Sequence, residues 1–324
     1  MSLGLGKCAV CHGLIDEEDL FCSNCGTRAP ESDGGRSILA SQVSTHNFVC
    51  DGCGASMSYD ASARSLRCPF CGSTGLTKHQ DGRSIAPQRI VRFAIDHQRA
   101  SEILRRWLGR GFWRPGDLAS TAEVTKVAAV YVPYWVFRVR THTYWTADTN
   151  RVPLGASGDW FPLFGEHQGT YEGLLIGASG VLTPGETSAL CPFELAAAEP
   201  AGQVNTDKMI VEQFSVHRKY ARPLARKAVE SLDRETCTAS VPGNARNVRV
   251  NVLMEGMSSE PVLLPVWIMA YRYRDRLFRF LINGQTGRAT GQAPVSWKKV
   301  IVVAGMVGFG ALLTFLAILF AATL

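Results

Sequence analysis

From Val300 to Leu324 the sequence reads VIVVAGMVGFGALLTFLAILFAATL, an apolar run of 25 residues without a charged side chain. An α-helix of that length extends roughly 37 Å, enough to cross a hydrocarbon core of roughly 30 Å with some tilt. A buried helix of a soluble protein is the alternative interpretation. Trp297, Lys298 and Lys299 precede the run, and an excess of Lys and Arg beside a span marks its cytoplasmic side. We therefore expect a single-pass, tail-anchored protein of the inner membrane, with the preceding N-terminal region in the cytoplasm.

Charge and composition narrow the class of protein without identifying a partner. The chain of 324 residues has a formal net charge of +6, which suits an anionic membrane surface or an acidic partner without requiring nucleic acid. Its first twenty residues hold four acidic side chains and lack the apolar region of a secretory signal. This composition agrees with a cytoplasmic head and a C-terminal anchor.

Cysteine spacing predicts two metal centres. Eight of the ten cysteines form Cys-x-x-Cys pairs, and the pairs come in twos. In a reduced cytoplasm such motifs collect four thiolates around a tetrahedral Zn²⁺ rather than form disulfides. Four thiolates leave no position for a bound water, so each zinc would be structural and not catalytic. The predicted ligands are Cys8, Cys11, Cys22 and Cys25 in the first zinc ribbon, and Cys50, Cys53, Cys68 and Cys71 in the second.

One of the four motifs is irregular. Three are followed by a glycine that permits a positive φ angle, at Gly26, Gly54 and Gly72, whereas the first has His12 at this position. His12 is either a turn residue or an alternative ligand, and the four available thiolates favour the turn. A redox role of the thioredoxin type needs a βαβ setting that the Gly-rich, polar sequence does not provide. The short intervals between paired motifs predict compact hairpins with little core of their own, held together by metal.

The central region contains a basic helix. Asp96 is a predicted N-cap that follows a possible strand at residues 90–95. From Arg83 to Arg114, eight arginines oppose two acidic residues, a local charge of +6. The helix either lies on anionic lipid or covers a sheet with its apolar face, and we favour the sheet. That face consists of Ala100, Ile103, Leu104, Trp107 and Leu108.

Two later segments resemble each other and suggest a weak internal duplication. Each is an apolar strand with a Pro-x-Trp string, at Pro133–Trp135 and at Pro265–Trp267. Proline predicts an edge strand or a bulge, and the tryptophans are expected in a shared core rather than as base-stacking or cation-binding residues. A helical pattern over 207–234 lies between them, and a strand with a tight turn at 283–287 follows. These elements predict an α+β fold with antiparallel strands.

Polar stretches rich in Gly and Ser divide the chain into predicted units. The units are a first zinc ribbon at 1–29, a linker at 30–44, a second ribbon at 45–76, a linker at 77–87, an α+β domain at 88–295 and a transmembrane anchor at 296–324.

These features together resemble the bacterial TFIIB-type zinc-ribbon membrane proteins that are often labelled primosomal protein N′ or replication-factor-Y helicase-like. The resemblance covers most of the chain and rests on the double ribbon and on several strings. They are Trp107-Leu108 followed by Pro115-Gly-Asp117-Leu118, Tyr131-Val-Pro133-Tyr-Trp135, Leu264-Pro-Val-Trp267 and Asn283-Gly-Gln-Thr-Gly287. Members look like the zinc-ribbon subunit of a Bacillus phage-shock-like operon, encoded beside proteins of the SPFH, PspA and TPM types. The resemblance implies an adaptor that recruits such partners to the membrane in envelope stress.

The sequence contains no recognisable catalytic motif. A nucleotide-driven motor needs Gly-x-x-x-x-Gly-Lys-Ser/Thr, and the nearest string, at 72–78, has the wrong spacing. Cys191 and Cys237 stand alone and are predicted to be small buried side chains rather than nucleophiles. We therefore expect a non-enzymatic adaptor that binds partner proteins. The alternative is a membrane-tethered nucleic-acid-binding protein of replication or transcription that uses the arginines between Arg83 and Arg114.

Overall fold

The computed structural model describes residues 5–16, 19, 21–29, 47–59, 67–79, 85–206 and 209–322. Its helices are α1 (His97–Leu108), α2 (Leu118–Thr121), α3 (Pro184–Leu190), α4 (Arg218–Ala239) and α5 (Trp297–Ala322). Its strands are β1 (Leu5–Lys7), β2 (Leu14–Asp16), β3 (Asn47–Cys50), β4 (Ser56–Ser58), β5 (Leu76–His79), β6 (Arg89–Ile90), β7 (Glu123–Thr149), β8 (Phe161–Gly177), β9 (Glu199–Pro200), β10 (Ile210–Glu212), β11 (Ala245–Tyr273), β12 (Arg276–Asn283) and β13 (Ala289–Gly291). The predicted linker 30–44 lies outside the described residues, and β5 occupies the start of the predicted linker 77–87. The domain boundaries stay predictions.

Two long antiparallel strands form the spine of the fold. β7 has 27 residues and β11 has 29, and they pair from Glu123 opposite Arg272 to Thr149 opposite Ala245. The sheet order is β13-β12-β11-β7-β10-β4-β3-β5, with β8 also on β7 and β6 also on β11. Most pairs are antiparallel, whereas β10–β7 and β6–β11 are parallel. The predicted α+β fold with antiparallel strands is confirmed.

The prediction that Pro133 and Pro265 mark edge strands or bulges was wrong, because both lie in regular register in the two central strands. A strand residue that pairs through both backbone groups directs its N–H and C=O to the same side. The Pro133 carbonyl accepts from Ala178 N at 2.9 Å and the Pro265 carbonyl from Gly284 N at 2.8 Å, both on outer edges. Along the outer edge of β7, the partner strand changes from β10 to β8 at Pro133. Along the outer edge of β11, it changes from β6 to β12 at Pro265. Each proline nitrogen therefore faces a junction between partner strands, where no N–H donor is needed.

The core occupies both faces of the sheet. Trp135 is fully buried and Trp267 is 9% exposed, as predicted for core residues. Both tryptophans lie on the same face of the sheet, which alternate residues of each strand share. On this face α4 covers Trp135 and α1 covers Trp267. Phe93 contacts both Tyr131 and Trp267 edge-on and connects the two parts of this core. The even-numbered residues of β7 and β11 pack on the opposite face with α3 and the second cysteine cluster.

The basic helix is α1, and it covers the sheet as predicted. The Asp96 carboxylate caps it by accepting a hydrogen bond from Arg99 N at 2.7 Å. Its apolar side chains Ala100, Leu104 and Leu108 are buried against β11 and β12. The apolar face is therefore not available to lipid.

Two element boundaries differ from the prediction. The strand predicted at 90–95 ends at Ile90, because the chain leaves β11 and Ala94 N donates to Gly284 O at 2.9 Å. The helix predicted at 207–234 begins only at Arg218, since Ile210–Glu212 is inserted between β7 and β4 as strand β10. Pairing within the sheet outweighs the local helical pattern there.

Candidate metal centres

All four Cys-x-x-Cys motifs fold into the same turn. In each, the first cysteine donates its N–H to the carbonyl five residues on and accepts from the N–H four residues on, at 2.7–3.0 Å. The residue that follows the second cysteine has φ of 73° at Gly26, 73° at Gly54, 79° at Gly72 and 56° at His12. His12 therefore takes the glycine conformation, which a residue with a Cβ adopts at a cost in free energy. The irregular motif has regular geometry.

The turns bring the sulfurs together as two groups of four. Within each group, all ligand atoms lie within 4.8 Å of one another. The Sγ separations are 3.6 Å for Cys8–Cys25 and 3.5 Å for Cys11–Cys22, Cys50–Cys71 and Cys53–Cys68. A tetrahedron with Zn–S bonds of ~2.3 Å has edges of ~3.8 Å, whereas a disulfide bond is ~2.05 Å long. The residues fit two four-thiolate metal sites of the kind that Zn²⁺ occupies, and we call them the first and second centres.

The acid–base properties of the thiols also call for a cation. Burial raises the pKa of Cys22 to about 12 and that of Cys68 to about 11. In contrast, hydrogen bonds with the side chain and backbone of Thr27 lower the pKa of the exposed Cys25 thiol to about 6. Each group thus contains thiols that retain their protons at neutral pH unless a positive charge compensates them. A divalent metal would supply that charge, and its binding would release protons.

The first centre is fastened to the side of the long sheet. Met257 N donates to Ser23 O at 2.9 Å, and Ser23 Oγ donates back to Met257 O at 3.0 Å. The buried Arg218 of α4 donates from Nε to Ser259 Oγ at 2.8 Å and from Nη2 to Ser23 Oγ at 3.3 Å. Asp19 forms ion pairs with Arg218 at 3.5 Å and with Arg222 at 2.7 Å. Backbone pairing and buried charge therefore place the first centre between β11 and the start of α4.

The second centre is part of the main sheet. β4 pairs with β10, which pairs with β7, so the hairpin that carries Cys50 and Cys53 continues the sheet. Cys50 and Cys68 share a core cluster with residues of β7 and β11. Lys126 of β7 donates from Nζ to the carbonyl of Cys68 and, at 3.2 Å, to that of Arg67. The second ribbon is therefore stabilised by the core of the sheet as well as by any metal that it binds.

The apolar C-terminal segment is helical. α5 runs from Trp297 to Ala322, and the segment from Trp297 to Phe315 is long and apolar enough to cross a membrane. No residue of that segment is buried against the rest of the chain. An apolar helical segment without a buried residue fits a membrane anchor better than a core helix.

The two isolated cysteines are not arranged as nucleophiles. Cys237 is fully buried in α4, as predicted, and Cys191 is half-buried with its Sγ directed to Thr187 O at 3.4 Å. Burial raises the pKa of both thiols, which keeps them protonated at neutral pH.

Sequence reasoning missed the residues that attach the two centres to the sheet. Gly256 lies at a register shift of β11, and a Cβ there would come within 2.9 Å of the Asn24 carbonyl oxygen, so glycine permits the first centre to dock. Arg218 lies within the predicted helical pattern over 207–234, and no motif singled out Lys126. Arg218 donates hydrogen bonds to residues 41 and 195 positions away in sequence, and Lys126 to residues 58 and 59 positions away, so no local pattern could reveal these contacts.

Comparison with known proteins adds one distant relative. No protein-family model and no solved structure matches the chain. The chain is 24% identical over 227 residues to the uncharacterized protein YdjG of Bacillus subtilis (strain 168). The alignment covers 67% of this chain and 66% of that protein, so the chain spans just under two thirds of the relative's length. The family resemblance drawn from sequence strings stays a prediction.

Proposed function

We propose that this protein is a membrane-anchored zinc adaptor whose cytoplasmic head recruits partner proteins to the inner surface of the membrane. The observation that carries the proposal is the attachment of both cysteine centres to one sheet whose chain continues into the apolar helix α5. Such an arrangement holds two zinc-ordered surfaces at a defined place beside the bilayer. Partners of the SPFH, PspA or TPM type, in envelope stress, follow from the family resemblance alone.

The chemistry of the centres supports a structural role. Four thiolates complete the coordination of Zn²⁺, and a catalytic zinc needs an open position for water or substrate. Bound zinc would supply positive charge that holds four thiolates together, while the chain's own turns set their positions. We therefore propose binding, and not catalysis, as the activity of the head.

A groove beside the second centre suits a protein partner. It has a volume of about 460 Å³ and includes Arg67 and Phe70 from the second ribbon and Arg272 and Leu277 from β11 and β12. Leu277 is 60% exposed, and no carboxylate is among the described residues that line the groove. An exposed leucine within a basic rim favours an acidic segment with apolar residues.

Several of the arginines that suggested nucleic acid are engaged within the fold. Arg89 pairs with Glu260 at 3.1 Å, and Arg92 with Glu199 at 2.7 Å. Arg114 lies over the Trp107 ring at 3.5 Å. The arginines that remain exposed, Arg105, Arg106 and Arg110, form a short patch at the end of α1, whereas phosphate-backbone binding favours a longer basic stripe. This arrangement favours the adaptor over the nucleic-acid alternative.

Affinity capture from detergent extracts tests the adaptor function. The Arg272→Glu variant should lose partners that the wild-type chain retains, while Arg249→Glu, an exposed change elsewhere on β11, should keep them. Both variants should stay in the membrane fraction and bind two zinc ions. Recovery of replication proteins by all three chains, with retention on nucleic acid that weakens steeply with salt, would instead support the alternative function. Recovery of the intact chain in the soluble fraction would refute the anchor.

A further inference from the structure

The loop between α1 and α2, residues 109–116, lies against the first turn of α5. Ser296 N donates to Trp113 O at 2.7 Å, and Lys299 Nζ donates to Arg114 O at 2.9 Å. The Lys299 ammonium is also 5.9 Å from the centre of the Phe112 ring. These contacts fix the loop beside the point where the apolar helix begins. We call residues 109–116 the aromatic loop.

The aromatic loop presents two large rings to its surroundings. Phe112 is 65% exposed and Trp113 is 47% exposed. The two rings pack edge to face, with 5.0 Å between their centres. The loop is also anchored from behind, because the Arg114 guanidinium stacks on the Trp107 ring at 3.5 Å and donates to the Trp107 carbonyl. A held pair of exposed aromatic side chains indicates a contact surface, since water solvates such a patch poorly.

The charges around the loop match an anionic surface. Arg105 and Arg106 occupy the last turn of α1 with exposed side chains, and Arg110 follows in the loop. Lys298 is exposed at the start of α5, next to Trp297, which is 73% exposed. Trp and basic residues concentrate at the boundary between lipid and water, and each basic residue near an anionic leaflet strengthens binding. The surface is continuous with the helix that would enter the bilayer.

We propose that the aromatic loop is a second membrane contact, in which Phe112 and Trp113 insert among the headgroups of the leaflet that α5 enters and the neighbouring arginines bind the phosphates of anionic lipids. This inference rests on the proposed membrane anchoring. It differs from a lipid-bound α1, because the apolar face of that helix is buried in the core. A flexible single anchor would let the head rotate, whereas two attachment points orient it. The ribbons would then face the cytoplasm at a fixed angle.

Site-specific photo-crosslinking in the full-length chain tests the proposal. Benzoylphenylalanine replaces Phe112, Phe309 or Phe164 in separate variants, which are reconstituted into vesicles of phosphatidylethanolamine and phosphatidylglycerol. Phe309 reports on α5, where it is 63% exposed. Phe164 is 86% exposed and pairs with Thr146 in the part of β7 remote from α1, so it is the matched control for a solvent-facing ring. A zinc content of two per chain verifies that each variant is folded.

The expected result is lipid adducts at positions 112 and 309 and none at position 164. Replacing phosphatidylglycerol by phosphatidylcholine should reduce the adduct at position 112 by about fivefold or more, the effect of losing at least one basic contact, without changing position 309. Adducts at 309 but not at 112 would overturn the second contact and leave the anchor intact. Crosslinks from 112 to protein, or equal lipid adducts at 112 and 164, would also overturn it. No lipid adduct at 112 or 309 would refute both the loop contact and the anchor.

Discussion

Arg218 offers the sharpest test of how the first centre is held. Its side chain is 1% exposed and binds Ser23, Ser259 and Asp19, so Arg218→Met removes a buried charge and its hydrogen bonds while retaining an apolar stem. Removing one partner of a buried ion pair costs about 3–5 kcal/mol. Because Arg222 still binds Asp19 at 2.7 Å, we expect the lower end of this range. A docking free energy smaller by about 3 kcal/mol corresponds to an undocked population about 150-fold larger.

Hydrogen exchange measures this population directly. Met257 N donates to Ser23 O, so its amide exchanges when the first centre undocks. In Arg218→Met, peptides containing Met257 should exchange about 100-fold faster, while those covering 262–268 in the core of the sheet stay protected. The matched control is Arg226→Met, which removes an ion pair whose side chains are 60% and 43% exposed and should change little. Equal protection of Met257 in both variants would refute the docking argument.

Three further predictions concern the centres and one buried acid. Cys25→Ser and Cys71→Ser should each reduce bound zinc from two ions to one, as measured by native mass spectrometry. Only Cys71→Ser should markedly lower the unfolding temperature, because the second centre shares the core of the sheet. Two ions retained in either variant would contradict the ligand sets. His12→Gly removes a side chain from a backbone held at φ 56°, which relieves a conformational cost of ~1 kcal/mol. In a chelator competition, zinc loss from the first centre should therefore be about fivefold slower. Faster loss would show that His12 contributes more than the turn. Burial raises the pKa of Glu212 from 4.5 to about 7. The folded protein therefore has the full stabilising contribution of this protonated carboxyl group below pH 4.5 and loses it as the pH rises to about 7. In chemical unfolding, Glu212→Gln should therefore be more stable than wild type at pH 8 by up to about 3 kcal/mol, and the advantage should be absent at pH 4.5. An equal difference in stability at both pH values would contradict the raised pKa of Glu212.

Local features of the fold were predictable because their causes are local. The Asp96 cap, the apolar stripe of α1 and the turn at 283–287 depend on residues within a few positions of each other. Gly287 takes a φ of 77° in that turn, and its N–H donates to Asn283 O at 2.9 Å. The same reasoning predicted the two groups of four cysteines, since two turns of fixed spacing set where each pair of sulfurs points.

Boundaries and strand partners failed where long-range pairing decided the outcome. Pro133 suggested an edge strand, yet its nitrogen faces a junction between β10 and β8 that no local pattern encodes. Residues 207–217 read as helix, but Ile210–Glu212 gains more from lying between β7 and β4 as a strand. Arg218 lies in the segment that was predicted only as a helical pattern and is buried, because the first centre and β11 enclose it.

The sequence by itself determined the two groups of four cysteines, the basic capped helix and the apolar C-terminal segment, because spacing, capping and hydrophobic length act within one turn or one span. The tertiary structure alone decided that β7 pairs with β11 although residues 150–244 separate them in the chain, that the second centre joins this sheet, and that the first docks on its side. These contacts depend on backbone groups and buried charges whose partners are distant in sequence. Only the folded chain brings them within hydrogen-bond distance.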